Sequence, residues 1–475
     1  MTINPLARLA RRLRRAAPAG NVPTLPGLPY LGVTHRFFTD PLRLYSDALE
    51  LGDIVELPMR RGGVLTINHP ALVRHVLVDA AHKYRKSDLL GTLRIVTGDG
   101  IIVSEGERWR RQRSRVQPAF AGDRMAGFAR TTTQAIAAHV AKLDRHPDGA
   151  TIDALDAVIH MSIDVLLRSL FASQIEVDHA ALTGAVKVAM REVILQAVVP
   201  ATARIPRPGR RRFAAAMTEI GSLIDRLLAE HRARRPDLAG DLARDLAGDL
   251  AGDLIDMLLA GRDAQTGAAM PETDLRSELI TLFIAGHDTV ASALAWSIYL
   301  LSRYPAVARQ LEDEVDRMVG QRPLAVDDVP RLAFTKCVFQ ETLRLYPQPP
   351  VLLRKAIEDD VLGGVAIPAG AELRLNVYAI QRDPRFCRDP EVFDPGRFSD
   401  ERRHERPTTA YLPFGLGARA CVGARFATLE GTVALAALAQ RFHFEPVAGH
   451  EVHADLVAAL QPRGGLPIIV RKRRR

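Results

Sequence analysis

Cys421 lies in the stretch most plainly built for chemistry, Phe-Gly-Leu-Gly-Ala-Arg-Ala-Cys-Val-Gly (414 to 423). Gly415, Gly417 and Gly423 permit a tight backbone that can lie against a planar ligand. A helical run follows from Ala424, so loop amides and a helix N-terminus would favour an anionic sulfur. Arg419, two residues before the cysteine, offers a permanent cation for an acidic group of the same ligand. The other cysteines, Cys337 and Cys387, complete a set of three with no C-x-x-C pair. That excludes a disulfide framework, implies a reducing compartment and leaves any cysteine chemistry to one thiol.

Three further constellations could act with it. The apolar helical stretch 279 to 301 is interrupted by Ala285-Gly286-His287-Asp288-Thr289. A glycine followed by a polar triplet costs helix stability and invites a local distortion. Glu341 and Arg344 are spaced to share one helix face. Taken alone, such a pair is usually a solvated surface pair. Trp109 and Arg113, four apart, would present an indole N–H and a charged fork on one face of another helix.

The elements that must position these groups are mostly helices. A Pro/Gly-punctuated entry spans 21 to 32, and 52 to 68 predicts two strands around the Gly62-Gly63 turn, with a helical stretch over 70 to 78. Helical patterns dominate from 109 to 235, 272 to 319 and 330 to 346, and strand-like runs occupy 351 to 377 and 452 to 471. The fold class is therefore mainly α with a minor β-sheet. Across 475 residues, 47% hydrophobic and 25% charged, no linker separates 40 from 470, so 21 to 470 reads as one large domain between basic tails at 1 to 20 and 471 to 475. Asp-Leu-Ala recurs every four residues from Asp237 to Asp249, a period that winds the leucines around a helix and makes a sustained binding seam a poor reading.

The formal net charge of +9 invites a nucleic-acid reading. Part of the excess sits at the two ends, and no basic cluster alternates with aromatics as a single-strand groove requires, so that class is set aside. Arginines interrupt the N-terminal apolar runs, against a secretory signal, and no transmembrane segment is expected. Residues 1 to 17 could form a basic amphipathic helix in peripheral contact with a membrane. The expected location is cytoplasmic.

Phe414-x-x-Gly417-x-Arg419-x-Cys421-x-Gly423 resembles the haem-binding loop of the cytochrome P-450 family. The other segments follow in the matching order. AGHDT (285 to 289) looks like the family's oxygen-activation segment, Glu341-Thr342-Leu343-Arg344 its Glu-x-x-Arg pair, and Pro395-Gly396-Arg397-Phe398 its later Pro-x-Arg-Phe segment. Trp109-x-x-x-Arg113 is similar to the helix that contacts a haem propionate. The resemblance covers about 21 to 470, and Gly396 replaces the commoner charged residue.

By that resemblance the chain encloses haem b, with Cys421 as proximal iron ligand, and thiolate ligation favours O–O cleavage. It implies cofactor contacts from Trp109, Arg113, Arg354, Phe414, Arg419 and Gly423, with His82 or Tyr84 as a further propionate partner. Asp288 and Thr289 would deliver protons, and Glu341, Arg344 and Arg397 would form a buried structural triad. His287, at a variable position, receives no metal role. The expected reaction inserts one atom of dioxygen into a hydrophobic molecule by hydroxylation or epoxidation. Leu90, Ile101, Ile102, Phe283, Ala285, Val351 and Leu352 are the expected pocket residues, within largely apolar stretches at 88 to 103, 283 to 285, 349 to 353 and 461 to 465 that suit a terpene, fatty acid or polyketide. Electrons would come from NAD(P)H through a ferredoxin or flavodoxin with its reductase, since no dinucleotide fingerprint or fused reductase is visible. Alanine- and arginine-rich usage points to bacterial secondary metabolism. Two alternatives stand beside this reading: a haem-thiolate isomerase or dehydratase acting on peroxides, and a haem-binding sensor without turnover.

Overall fold

The computed structural model describes residues 22–59, 62–120, 122–203, 205, 207–234, 253–261, 267–456 and 459–473. The basic segment 1 to 20 and the Asp-Leu-Ala repeat lie outside the described residues. Helices dominate, with minor sheets, as the sequence predicts. The chain divides into two compact units, a division the reading of 21 to 470 as one domain does not draw.

The first unit comprises the described residues among 22–91, 344–392 and 403–421. Numbered along the chain, its strands are β1 (Ile54–Leu57), β2 (Val64–Ile67), β3 (Tyr84–Lys86), β5 (Leu352–Ala356), β6 (Asp360–Leu362), β7 (Val365–Ile367) and β8 (Glu372–Leu375); β6 pairs with β7, and the others form a sheet in the order β1-β2-β8-β5-β3. The hairpin expected around Gly62-Gly63 is β1–β2, paired antiparallel with Ile54 opposite Ile67. β5 lies antiparallel to both of its neighbours, which sets Arg354 opposite Lys86 and Leu373. Ile67, Leu373 and Leu375 are fully buried and form the centre of the unit's core with Val73, Val76 and Leu77.

Helix α1 (Pro41–Leu51) begins with proline behind Asp40, whose side chain accepts the Arg43 N–H at 3.1 Å. Asn68 donates to the carbonyls of Ala48 and Gly52 at 2.9 and 2.7 Å, and Asn376 donates to Asn68 Oδ1 at 2.8 Å. Those buried amides satisfy the end of α1 and lock it to the sheet. Helix α2 (Pro70–Arg74), capped by His69, runs into a wider turn at 75–79.

The second unit comprises the described residues among 92–343, 393–402 and 422–473. Its helices include α3 (Gly106–Val116), α4 (Gly122–Leu143), α5 (Ala154–Ser169), α6 (His179–Val198), α7 (Pro208–Arg234), α8 (Leu254–Ala260), α9 (Glu272–Arg303), α10 (Pro305–Met318), α11 (Ala333–Leu345, ending across the division) and α12 (Ala424–Arg441). α9 is apolar and long enough to cross a membrane, yet 83% of its most apolar window is buried inside the protein, as a central core helix would be. It packs against α5 and α12, and α4 packs against both of those. The Trp296 indole on α9 donates to the Leu460 carbonyl at 2.8 Å. That bond ties β11 (Leu460–Pro462), paired with β10 (Ala454–Leu456), to the core helix.

In the remaining sheet, β12 (Pro467–Lys472) lies between β4 (Ala150–Asp153) and β9 (Phe442–Pro446). Arg471 and Lys472, expected as the start of a tail, are paired with His443 and Phe442. The Arg473 N–H donates to the Arg441 carbonyl at 2.9 Å and its guanidinium meets Asp316 at 2.7 Å. Buried Ile468 and Val470 hold this strand on the core, so its basic end is carried into the sheet.

Candidate active site

The cysteine loop belongs to the first unit up to Cys421. Gly415 and Gly417 take φ of +70° and +73°, conformations that favour glycine. At Gly417 a Cβ would stand 2.4 Å from the Leu77 carbonyl oxygen. The loop therefore turns tightly through 417–419, where the Ala420 N–H donates to Gly417 O at 3.0 Å and the Cys421 N–H to Phe414 O at 2.8 Å. Phe414 thus contributes a backbone clasp beneath the cysteine. Gly423 differs from the other two: at φ −86° it is the N-cap of α12, not a left-handed turn. Of the three thiols, Cys421 is exposed whereas Cys337 and Cys387 are buried.

Arg354 is 9% exposed on β5, with one guanidinium N–H on the Leu353 carbonyl at 2.9 Å, and Arg419 is half-buried. His82 is exposed. Tyr84 is committed elsewhere, since its hydroxyl donates to Asp360 Oδ2 at 2.7 Å, where His75 and Lys83 also converge at 2.8 and 2.9 Å. Burial would raise the Asp360 carboxyl, but these hydrogen bonds overcome it and hold the group well below the usual range. Burial and the same partnership push the Tyr84 phenol far up.

Asp288 and Thr289 lie in the second unit on α9, which runs as α-helix without a break from Glu272 to Arg303. The local distortion expected at Gly286 does not occur. Gly286 serves close packing instead, because a Cβ there would stand 2.9 Å from Leu166 Cδ2 of α5. Two side chains of the polar triplet bond back into the helix: the Thr289 hydroxyl donates to Ala285 O at 2.9 Å, and His287 Nδ1 donates to Phe283 O at 2.7 Å. Burial pushes the Asp288 carboxyl up from its ordinary value, with the charges of His287 and Lys187 opposing. Burial pushes His287 down, towards its neutral form.

Beside them is a small cleft lined by Thr183, Val186, Lys187, Met190, His287, Asp288 and Gln461. The sequence reading includes Gln461 in a pocket stretch but misses Thr183 and Lys187. Their signal is the spacing 183, 187, 190, which places them on one face of α6.

Trp109 and Arg113 are half-buried on α3, and Arg113 Nε donates to Gln117 Oε1 at 2.9 Å. The helix is positioned by residues the sequence reading passes over. Arg108 bridges Asp99 and Asp274 at 3.1 and 2.7 Å, Gln112 donates to Asp99 O at 2.8 Å, and Arg115 donates to Ala268 O at 2.9 Å.

Of the expected pocket residues, Leu90, Val351 and Leu352 belong to the first unit and Ile101, Ile102, Phe283 and Ala285 to the second. Val351 packs in a core cluster with Leu25 and Leu57, and fully buried Phe283 stacks on the His287 ring at 4.7 Å. The Ile101 N–H donates to the buried Glu278 at 3.1 Å, which fixes its segment against α9. Glu341 and Arg397 are brought together, and the Asp394 N–H donates to Glu341 Oε1 at 2.9 Å. In the first unit, Arg344 donates to the carbonyls of Gln381 and Val392 at 2.9 and 3.2 Å.

A family model described as Cytochrome P450 matches residues 23–464. "Cyclooctatin synthase" of Streptomyces melanosporofaciens is 33% identical over 435 residues, 90% of each chain. "Cyclooctat-9-en-7-ol 5-monooxygenase" of the same organism is 29% identical over 432 residues, again 90% of each. "Protein LUTEIN DEFICIENT 5, chloroplastic" of Arabidopsis thaliana is 31% identical over 443 residues, 90% of this chain and 74% of the relative. The chain is an oxidoreductase of the haem monooxygenase class. It belongs to the cytochrome P450 family, whose members work with redox partners and dioxygen on hydrophobic substrates.

Proposed function

We propose that this chain is a cytoplasmic haem-thiolate monooxygenase that hydroxylates or epoxidises a terpene-like molecule in secondary metabolism. Electrons reach it from NAD(P)H through a separate ferredoxin or flavodoxin and its reductase. The observation that carries the reading is the exposed thiol of Cys421 on a loop clasped by Phe414 O and turned by two left-handed glycines. A soft anionic sulfur, with the permanent cations Arg354 and Arg419, fits an iron porphyrin with its two carboxylates. The residues that would hold it are Cys421, Arg354 and Arg419, together with Trp109 and Arg113. The terpene class is favoured over fatty acid or polyketide because a relative is named for acting on cyclooctat-9-en-7-ol.

When bound, the haem supplies the redox chemistry that divides dioxygen between water and product. The chain supplies the rest. Cys421 gives electron density through its thiolate. Asp288, whose carboxyl is pushed up from its ordinary value by burial, is the proton donor on the core helix, and the Thr289 hydroxyl stands next to it in sequence. Apolar lining residues exclude water and orient the substrate by shape.

The test is the carbon monoxide complex of the reduced, haem-loaded protein. Wild type is expected to show the Soret band of thiolate ligation, and Cys421→Ser to lose it; retention of that band in the variant would refute the assignment. Product formed with dioxygen and reductase, rather than with hydroperoxide alone, separates the monooxygenase from an isomerase or a sensor.

A further inference from the structure

His231 is 2% exposed near the end of α7, and its ring lies between two buried carboxylates, Asp253 and Asp256, at the start of α8. The two aspartates fix each other. Asp253 Oδ1 accepts the Asp256 N–H at 2.8 Å, and Asp256 Oδ2 accepts the Asp253 N–H at 3.0 Å. The second oxygen of each is turned to the imidazole, Asp253 Oδ2 at 3.3 Å from Nδ1 and Asp256 Oδ1 at 3.4 Å from Nε2. Nδ1 is hydrogen-bonded to Asp253 Oδ2, so in the neutral ring Nδ1 holds the hydrogen and Nε2 presents a lone pair. Nε2 makes no hydrogen bond among the described residues, although it is buried and faces a carboxylate oxygen. Two acceptors facing each other away from water call for a cation between them.

A proton is a poor fit to that gap, because a charge-assisted N–H···O bond closes to about 2.7–2.9 Å. A tetrahedral zinc ion, with bonds of about 2.0–2.2 Å, sets neighbouring ligand atoms roughly 3.4 Å apart. A ligand atom from each of His231, Asp253 and Asp256 lies within 4.8 Å of the other two. The two carboxylates balance a divalent charge. Arg234 is exposed, comes within 3.5 Å of Asp253 Oδ2, and donates to Ala172 O at 2.8 Å. The imidazole nitrogen favours zinc over magnesium or calcium, which take oxygen ligands.

We propose that these three residues form a structural zinc site, with His231 Nε2 and Asp256 Oδ1 as ligands and water completing the coordination. Asp253 holds the Nδ1 hydrogen and so orients the ring, as carboxylates behind metal-bound histidines do. The ion fastens the end of α7 to the start of α8. Through the Leu254 N–H, which donates to Leu170 O at 2.8 Å, it also fastens both to the end of α5. No oxidation step passes through it, and the inference stands apart from the haem reading.

The test uses haem-loaded full-length protein, stripped with a chelator and titrated with zinc chloride alone. Zinc equimolar with the chain is expected to survive gel filtration and to raise the melting temperature. Its X-ray absorption edge should show an imidazole and oxygen ligands without sulfur, which separates this site from the cysteines. Asp253→Asn should weaken binding about 10- to 100-fold, as loss of an orienting partner does. His231→Gln and Asp256→Asn, which remove ligands, should weaken it further and abolish the rise in melting temperature. The carbon monoxide band should stay as in wild type throughout. If a variant fails to fold, the wild-type stoichiometry and absorption edge still decide. Unchanged uptake in both His231→Gln and Asp256→Asn, or sulfur at the edge, would overturn the proposal as adventitious binding. No uptake by wild type would also overturn it, and a His231→Gln stability loss that grows as pH falls would then place a proton between the two groups instead.

Discussion

The Arg397 guanidinium stands 3.4 Å from the Glu341 carboxylate, and both side chains are buried, at 8% and 0% exposure. Asp394 adds its backbone N–H to the same carboxylate at 2.9 Å, so a charge taken out of water is met by a charge and a dipole. Removing one partner takes the opposite charge away from a group that stays buried. Arg397→Met and Glu341→Gln are each expected to lose about 3–5 kcal/mol of stability in denaturant titrations. The double variant should be far less damaged than the sum of the two; additive losses would argue that the pair is not coupled.

Glu430 on α12 is fully buried and receives the Ser162 hydroxyl at 2.7 Å. Burial pushes its pKa up from 4.5 to about 8, against the opposing hydrogen bond from Ser162. The folded protein therefore keeps this proton at pH values where the unfolded chain has released it. Its contribution is fully present below about pH 4.5 and is lost progressively up to about pH 8, beyond which the loss is complete. Each pH unit in that window is worth about 1.4 kcal/mol, so the total is on the order of a few kcal/mol. Glu430→Gln should flatten the fall in stability over this window and raise the melting temperature at pH 8. An unchanged slope in thermal unfolding across this range would contradict it.

Gly417 and Gly415 separate two costs at the cysteine loop. Both have positive φ, so alanine at either is strained by about 1–3 kcal/mol. At Gly417 the added methyl also meets Leu77 O at 2.4 Å, whereas at Gly415 it meets nothing closer than 3.8 Å. Gly417→Ala is expected to displace the loop and lower haem retention during gel filtration. Gly415→Ala should retain more haem, and equal behaviour would show that the backbone contact is not decisive.

Arg425, four residues beyond Cys421, is exposed. An acidic redox protein would be steered by such a charge, so Arg425→Glu should slow its reduction of the haem severalfold at low salt and weaken the salt dependence. The spin shift caused by a bound substrate should remain. Stopped-flow reduction rates equal to wild type at low ionic strength would exclude this residue from the docking face.

Much of the architecture is legible in short-range pattern. The β1–β2 hairpin follows from two short, mostly apolar runs around Gly62-Gly63, and α9 from one long apolar run. Cys421, Phe414 and Gly417 declare themselves by spacing, because a tight loop needs its glycines and its nucleophilic sulfur at fixed offsets. What spacing could not disclose is what a residue meets from another part of the chain. Gly286 looks like a weak point of a helix until Leu166 is found against it, and the helix then runs unbroken. Tyr84 is a plausible cofactor partner until Asp360 claims its hydroxyl. Arg471 and Lys472 look like a tail until β9 pairs with them.

Residue order alone thus determined the family, the mainly helical class and the cysteine loop, since each is written in local periodicity and fixed offsets. Tertiary structure decided which charged and polar groups are satisfied and by whom. Arg397 finding Glu341, Glu430 finding Ser162, and Lys187 reaching the Asp288 cleft all depend on distant segments meeting in a water-poor interior, where the partner sets the energy of the charge.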